Sequence, residues 1–315
     1  MDQDTQVLEM FESRAKRRIE RRDLFKAFAL TAVAGGGLAM ATHISPASAQ
    51  TLSDGDVLNF ALNLEYLEAQ FYSYAATGVG LTPDLLTGTG TPGVALGGHL
   101  VPFTDPAVAA YALEIAADER AHVAFLRNAI GATAVAQPQI DISVSPTSAF
   151  SNAARAAGLI GAGETFDPYA NDENFLLGAY IFEDVGVTAY KGASPLITNK
   201  VFLEAAAGIL AVEAYHAALV RTTLDAKGIA APSLVDATEA ISNARDSLDG
   251  STDLDQGIRA IGTKSNIAPL DGNGLAYSRS AAQVLNIVYL NRAAVTAGGF
   301  FPNGVNGTIV TSAAN

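Results

Sequence analysis

The sequence predicts an all-α protein whose core is a four-helix bundle, and three observations support this. Four long stretches carry apolar residues at helical spacing, none of them alternates with the period of a β-strand, and glycine follows each one. A long connection separates the second stretch from the third, which suits a bundle with one crossover. A chain of 315 residues, 49% of them hydrophobic, is also long enough to bury a sizeable core.

Capping residues set the predicted helix ends. The first helix starts at the Ser53-Asp54-Gly55-Asp56 capping pattern and the second at Asp105-Pro106, because a side-chain oxygen before the first turn and a proline within it both favour a helix start. The predicted helices cover residues 53–77, 105–129, 148–157, 172–191, 199–227, 233–248 and 281–297. A Gly-rich loop over residues 78–104 joins the first two helices.

The N-terminal segment has the order of an export signal. A basic run from Arg14 to Lys26 precedes an uncharged run over residues 27–42, and Ala47-Ser48-Ala49 matches a small-x-small cleavage site. Within the basic run, residues 21–26 (RRDLFK) resemble the twin-arginine motif. The uncharged run is shorter than the ~20 residues of a membrane-spanning helix, which argues against an anchor. We predict a cleaved twin-arginine-type signal peptide over residues 1–49 and a periplasmic or secreted mature protein.

Composition narrows the partners of the mature protein. The formal net charge of −13 argues against a nucleic-acid partner, which would need a basic surface. Because the chain has no cysteine, any metal must be held by oxygen and imidazole ligands. After residue 49 we expect no membrane-spanning segment, a bundle over residues 50–230 and a C-terminal extension over 231–315 that packs on it. The expected partners are small molecules, and self-association into a homo-oligomer is left open.

Two helices carry the same Glu-x-x-His motif. Glu119 and His122 lie in the second long helix, and Glu213 and His216 lie in the fourth. Residues three apart share one face of a helix, so each pair can direct both side chains to one point. An arginine follows each histidine by five residues, at Arg127 and Arg221, which extends the match.

The first and third long helices also match each other. Tyr72 follows Glu65 by seven residues, and Tyr190 follows Glu183 by the same spacing. The chain therefore contains two copies of a helix pair, Glu-x6-Tyr followed by Glu-x-x-His-x4-Arg. In this alignment Gly186 of the second copy takes the place of Glu68.

Four glutamates and two histidines on four inward-facing helices predict a two-metal site. Carboxylates can bridge two divalent cations, imidazoles complete the coordination, and this arrangement is the template of ferritin-like di-iron and di-manganese bundles. A single Glu-x-x-His pair usually lies at the solvent-exposed surface of a helix. Here apolar residues surround both pairs. Burying unpaired carboxylates is costly, so shared metal ions or protons must compensate for their charge. The predicted ligands are Glu65, Glu119, His122, Glu183, Glu213 and His216, with Glu119 and Glu213 as bridges. The predicted cofactors are two divalent ions, either iron or manganese.

Several neighbouring residues stay open on the sequence alone. Glu68 lies one turn after Glu65 and is either an additional ligand or a partner of a ligand. Tyr72 and Tyr190 either donate hydrogen bonds to ligand carboxylates or pack in the core. Asp118 and Asp184 point about 100° away from the motif residues beside them and are expected on the outer side or behind the ligands. We expect His99, in the Gly-rich loop, at the surface.

Three segments resemble the desiccation-related proteins of plants and bacteria, a family with a ferritin-like domain. The segments are Leu62 to Tyr72, Asp118 to His122, and the tail from Gly298 to Gly304. The resemblance covers most of residues 52–310 and implies a ferritin-like four-helix bundle with a di-metal centre. It implies little about the reaction, because one fold hosts many functions. The twin-arginine-like leader departs from the plant members.

We therefore expect an exported ferritin-like di-metal carboxylate protein that handles dioxygen, peroxide or Fe(II) in oxidative or desiccation stress. Catalase-like removal of peroxide and ferroxidase-like oxidation of Fe(II) both fit the sequence. The alternative is a non-catalytic protective or structural protein in which the metal site staples the fold or is vestigial. Storage of iron in a cage is disfavoured, because the large insertions would interfere with shell packing.

Overall fold

The computed structural model describes residues 52–315, so the predicted signal peptide lies outside the described residues. Two short parallel strands accompany the helices, β1 over Ala95–Leu96 and β2 over Ile140–Asp141. The helices are α1 (Asp54–Thr77), α2 (Pro106–Ile130), α3 (Ala149–Ala156), α4 (Asp172–Ala193), α5 (Lys200–Gly228), α6 (Ser233–Asp249) and α7 (Ala281–Val288). This is the predicted all-α architecture.

Two antiparallel helix hairpins, α1 with α2 and α4 with α5, form the bundle. Loops and the shorter helices cover α1 and α4, so most residues of these two helices are buried. In contrast, α2 and α5 each bury one stripe and leave the opposite side exposed. The hairpin order places four helix faces around one axis, which is the geometry that brings distant sequence motifs together.

Local capping explains the helix starts. The Ser53 side chain accepts a hydrogen bond from the backbone N–H of Asp56, and the Asp56 side chain accepts one from the Ser53 backbone, which completes a capping box. Asp105 caps α2 with proline at the next position. At the other end of α1, Gly78 has a φ of 76°, a left-handed conformation that glycine adopts without strain.

The last predicted helix is too long. A helix was expected over residues 281–297, but α7 ends at Val288. Leu290 then takes a positive φ of 53°, which a continuing helix cannot contain. The Asn286 side chain donates to the carbonyl of Asn291 at 2.6 Å and to that of Ala313 at 2.9 Å, so it fixes the chain in a turn toward the C-terminus. The apolar residues after 288 pack as a loop, a tertiary effect that helical periodicity does not reveal.

The tail that resembles the desiccation-related proteins enters the core. The Phe300 side chain is fully buried, and its ring centroid lies 4.9 Å from that of Phe182 on α4 and 5.1 Å from that of Phe150 on α3. The Phe300 carbonyl also accepts a hydrogen bond from the backbone of Asp141 on β2. Edge-to-face aromatic contacts of this kind tie the C-terminal region to the bundle.

The repeated arginines hold down the covering loops. Arg127 donates to the carbonyl of Thr87, in the loop after α1. Arg221 is fully buried and donates to Asp184 at 2.8 Å. The other acceptors of Arg221 are the hydroxyl of Tyr180 and the carbonyls of Gln256, Gly257, Asn266 and Ile267. The two copies of the repeat therefore use one arginine each to fasten a loop onto their hairpin.

We predict that Arg221→Ala destabilises the protein by about 3 kcal/mol or more. The substitution leaves buried carbonyls without a donor and removes a cation from the Asp184 carboxylate, and both changes are costly in the interior. Urea denaturation followed by circular dichroism measures the loss, and limited proteolysis should show faster cleavage within residues 254–268. Arg127→Ala is the control, because its guanidinium is only half-buried and should cost less. An unchanged urea midpoint for Arg221→Ala would show that Arg221 does not fasten this loop to the bundle.

Candidate metal centre

Each of the four bundle helices contributes to one buried cluster of carboxylates and imidazoles. α1 brings Glu65, α4 brings Glu183, and α2 and α5 each bring a glutamate and a histidine. All six predicted ligands lie here, and none exposes more than the 8% of His122: Glu65, Glu119, His122, Glu183, Glu213 and His216. Helical spacing and the antiparallel hairpins together direct these side chains to the bundle axis.

The first half of the cluster surrounds the Nδ1 atom of His122. This atom lies 3.2 Å from a Glu65 oxygen, 3.4 Å from a Glu119 oxygen and 3.9 Å from a Glu213 oxygen. One donor atom from each of these four residues falls within 4.8 Å of the others, a spacing that can accommodate a metal ion.

The second half surrounds the Nδ1 atom of His216. This atom lies 3.0 Å from the other Glu119 oxygen and 3.7 Å from a Glu183 oxygen, and the three donors again fall within 4.8 Å of one another. Glu119 thus offers one oxygen to each half. Glu213, which the sequence analysis paired with Glu119 as a second bridge, groups only with the first half in this geometry.

Buried polar atoms without hydrogen-bond partners converge here. The set comprises one oxygen each of Glu65 and Glu183, both oxygens of Glu119 and Glu213, and the Nδ1 atoms of His122 and His216. Buried polar groups in folded proteins are nearly always satisfied, so a cluster of them calls for a missing partner. Atoms of this chemistry, oxygen and imidazole nitrogen, are ligands for iron and manganese.

Two tyrosines cross-link the halves. Tyr72 on α1 donates its hydroxyl to Glu183 on α4, and Tyr190 on α4 donates to Glu65 on α1. Both tyrosines are buried. Each hydroxyl satisfies the carboxylate oxygen that faces away from the cluster and leaves the other oxygen directed at the histidines, so the tyrosines orient the glutamates.

Glu68 and Gly186 occupy matching places in the repeat and lie together in the structure. A Cβ atom added to Gly186 would lie 2.2 Å from a Glu213 oxygen and 3.5 Å from a Glu68 oxygen. The absence of a side chain at Gly186 therefore makes room for two carboxyl groups. Glu68 is buried but belongs to neither group of metal-compatible atoms.

Asp118 has a role that the sequence analysis left open. Its carboxylate lies 3.1 Å from the Nε2 atom of His216, across from α2 to α5. A carboxylate on the outer nitrogen fixes the imidazole orientation and leaves Nδ1 as the inward atom. The second copy of the repeat has Val212 at the position of Asp118, so the two halves differ. Only the fold reveals that Asp118 reaches the histidine of the other motif.

The remaining candidates lie away from the cluster. Asp184 pairs with Arg221 at 2.8 Å and with Arg245 at 3.1 Å in the buried contacts to the C-terminal region. His99 is exposed in the Gly-rich loop, 3.9 Å from Asp167.

Protons are shared unequally in the cluster. Burial, followed by repulsion from Glu119, raises the pKa of Glu65 to about 7, and burial raises the pKa of Glu183 to about 8. Burial also raises the pKa of Glu213 well above its usual range. Burial opposes the charge of Glu119, but the two adjacent histidines outweigh it because their imidazolium forms attract the carboxylate, and they hold that pKa at about 2.

Burial alone would lower the pKa values of both histidines, but the surrounding carboxylates favour the charged imidazolium forms and outweigh it. They raise the pKa of His122 to about 11, mainly through Glu119 and Glu65, and that of His216 to about 9, mainly through Glu183 and Glu119. In the metal-free protein at neutral pH, bound protons thus offset the negative charge. Cations that bound here would displace those protons.

A helical bundle with glutamates on two helices and Glu-x-x-His on the other two defines the ferritin-like class of proteins. The chain belongs to the ferritin-like domain family, whose sequence profile matches residues 53–226. It is 31% identical to the desiccation-related protein PCC13-62 of Craterostigma plantagineum over 256 residues, an alignment that covers 74% of this chain and 76% of that protein. It is 29% identical to the ferritin-like catalase Nec2 of Nesocodon mauritianus over 272 residues, an alignment that covers 82% of this chain and 85% of that protein. No solved structure gave a significant match.

We predict that the metal-free protein loses stability as the pH rises from 5 to 9. The folded-state pKa values of Glu65 and Glu183 lie above the ordinary value of 4.5, so their stabilising contribution is present below pH 4.5 and disappears by about pH 7 to 8. The raised histidine pKa values act with the same sign, up to about 9 and 11. The total loss is on the order of several kcal/mol.

Urea midpoints of chelator-treated protein at pH 5.5, 7 and 8.5 measure this slope. The double variant Glu65→Gln, Glu183→Gln should show a flatter profile, because its amides do not titrate. Stability that rises between pH 5.5 and 8.5 in the unsubstituted protein would show that the cluster holds no excess protons.

Proposed function

We propose that the cluster binds two divalent ions, iron or manganese, and that the loaded protein disproportionates hydrogen peroxide. The observation that carries the proposal is the convergence of unpartnered carboxylate oxygens and imidazole nitrogens from four helices on one buried point. Two cations would neutralise charge that is otherwise offset by protons, and they would satisfy the orphaned atoms.

The donor set suggests how the ions would be held. Glu65, His122 and Glu213 would hold one ion, Glu183 and His216 would hold the other, and Glu119, which belongs to both groups, would contribute to both. Oxygen and imidazole donors suit both iron and manganese, so the ligands do not select between the two metals.

The similarity to a ferritin-like catalase favours peroxide as the substrate. In disproportionation one peroxide molecule is reduced to two waters and a second is oxidised to dioxygen, and a redox-active metal pair supplies the electron storage between these halves. The similarity to a desiccation-related protein supports a role in stress.

Residues of this chain would orient the ligands and enclose the site. Burial raises the pKa of Glu213 well above its usual range, which favours the protonated carboxyl in the metal-free protein, and a cation that it ligated would displace that proton. Tyr72 and Tyr190 keep the Glu183 and Glu65 carboxylates in place. Apolar residues on all four helices limit the access of water and other reactants.

We also propose that the protein is exported. The twin-arginine-like segment at residues 21–26 supports this proposal. Expression in a bacterium with and without a functional twin-arginine translocase tests it: the processed protein should reach the periplasm only in the first strain. Processing that does not depend on the translocase would overturn the assignment.

Metal content and peroxide turnover test the function together. We expect two metal ions per chain by elemental analysis and oxygen evolution from hydrogen peroxide. His122→Ala and His216→Ala should each lower the metal content and abolish most of the turnover, because each removes the imidazole of one half. His99→Ala, on the exposed loop, is the control and should retain both properties.

Each negative result has its own meaning. Fewer than one metal per chain after metal-replete expression would overturn the two-metal site. Two metals without peroxide turnover would instead favour the non-catalytic alternative, in which the ions staple the fold. Fe(II) oxidation without peroxide turnover would assign a ferroxidase-like activity.

The contact between Asp118 and His216 gives a prediction on affinity. Asp118→Asn should weaken metal binding by roughly 10- to 100-fold, because the imidazole loses its charged partner. A chelator titration that follows metal release measures the change, and one ion per chain should leave first. Glu114→Gln removes a charge from the exposed side of the same helix and should release metal like the unsubstituted protein. Equal release by both variants would show that Asp118 does not hold His216 in place.

A further inference from the structure

The outer sides of α2 and α5 carry few charged residues for helix surfaces that face water. α5 has a mean hydropathy of 1.4 over its most apolar 18 residues, yet only 33% of that window is buried. By length and composition alone, α5 could therefore cross a membrane. This differs from the expectation that no segment after residue 49 is long and apolar enough to span one. In a surface helix the apolar stripe faces the core and polar residues face solvent.

We call the exposed residues of these two helices the α2–α5 face. It includes large apolar side chains, namely Tyr215 at 74% exposure, Leu113 at 53% and Phe125 at 44%. Small residues such as Ala117, Ala211 and Ala214 lie among them. Contiguous exposed apolar patches often mark sites of interaction.

Charge on the face is balanced. Its exposed charged residues are Glu114, Arg120, Lys200 and Glu204, two acids and two bases, in a chain with a net charge of −13. Two acidic chains repel each other least where they meet through a neutral surface. In a two-fold contact the same patch meets itself, so each copy presents equal numbers of acids and bases to the other.

The area is sufficient for a stable contact. Helices of 25 and 29 residues are about 35–45 Å long, and two helices side by side are about 20 Å wide. The resulting footprint of roughly 800 Å² equals the area that each partner contributes to a standard interface.

From these observations we propose that the α2–α5 face binds a second copy of this chain. A lipid surface is the other apolar partner to consider. Proteins that bind anionic membranes present an excess of lysine and arginine, and the balanced charge of this face does not provide one. Self-association is independent of the proposed peroxide activity and is tested on a separate property.

Sedimentation of the purified protein over a range of concentrations tests the proposal. We expect a mass of twice that of one chain at micromolar concentration. Ala117→Glu and Ala211→Glu each place a carboxylate on the face. A two-fold contact brings two copies of the new charge into the interface, so each variant should weaken association at least 10-fold. Asn243→Glu adds the same charge at an exposed position of α6, away from the face, and should associate like the unsubstituted protein.

Circular dichroism separates a lost contact from a lost fold, since glutamate at an exposed helix position should preserve the helix content. A protein that stays monomeric at tens of micromolar would overturn the proposal. So would association that the two face variants leave unchanged, or flotation with phosphatidylglycerol vesicles in the absence of self-association.

Discussion

The burial of ionisable side chains at the axis of the bundle is the constraint on which the rest of the structure depends. Carboxylates from all four bundle helices lie out of contact with water around two imidazoles. Such a cluster is unfavourable unless its charge is neutralised, either by protons, as the raised pKa values of Glu65 and Glu183 indicate, or by cations. The cross-linking tyrosines, the apolar walls and the covering loops all follow from the need to hold these groups in place.

The two copies of the repeat hold these buried groups with similar but not identical residues. Glutamate, tyrosine, histidine and arginine recur at the same spacing in both copies. Two positions break the symmetry: Asp118 contacts His216 whereas its counterpart is Val212, and Glu68 lies beside its own counterpart, Gly186. One histidine therefore has an outer carboxylate partner, and one side of the cluster has an extra carboxyl group.

The structure also separates a covered side of the bundle from an open one. Arg127 and Arg221 fasten loops, and Phe300 inserts the tail beside α3 and α4, so α1 and α4 are enclosed. The opposite side, formed by α2 and α5, stays apolar and exposed. Each of these two helices directs its motif glutamate and histidine inward to the cluster, and its outer side belongs to the surface that we propose for self-association.

The sequence by itself determined the helices of the bundle, their ends and the identity of the six cluster residues. Periodicity, capping and the internal repeat are local signals, and a Glu-x-x-His pair directs both side chains to one face in any helix. Only the tertiary structure decided what depends on neighbours from distant parts of the chain. It assigned Glu119 to both halves and Glu213 to one, connected Asp118 to His216, and ended α7 at Val288 although apolar residues continue. These outcomes rest on distances between helices, and no periodicity within one helix encodes them.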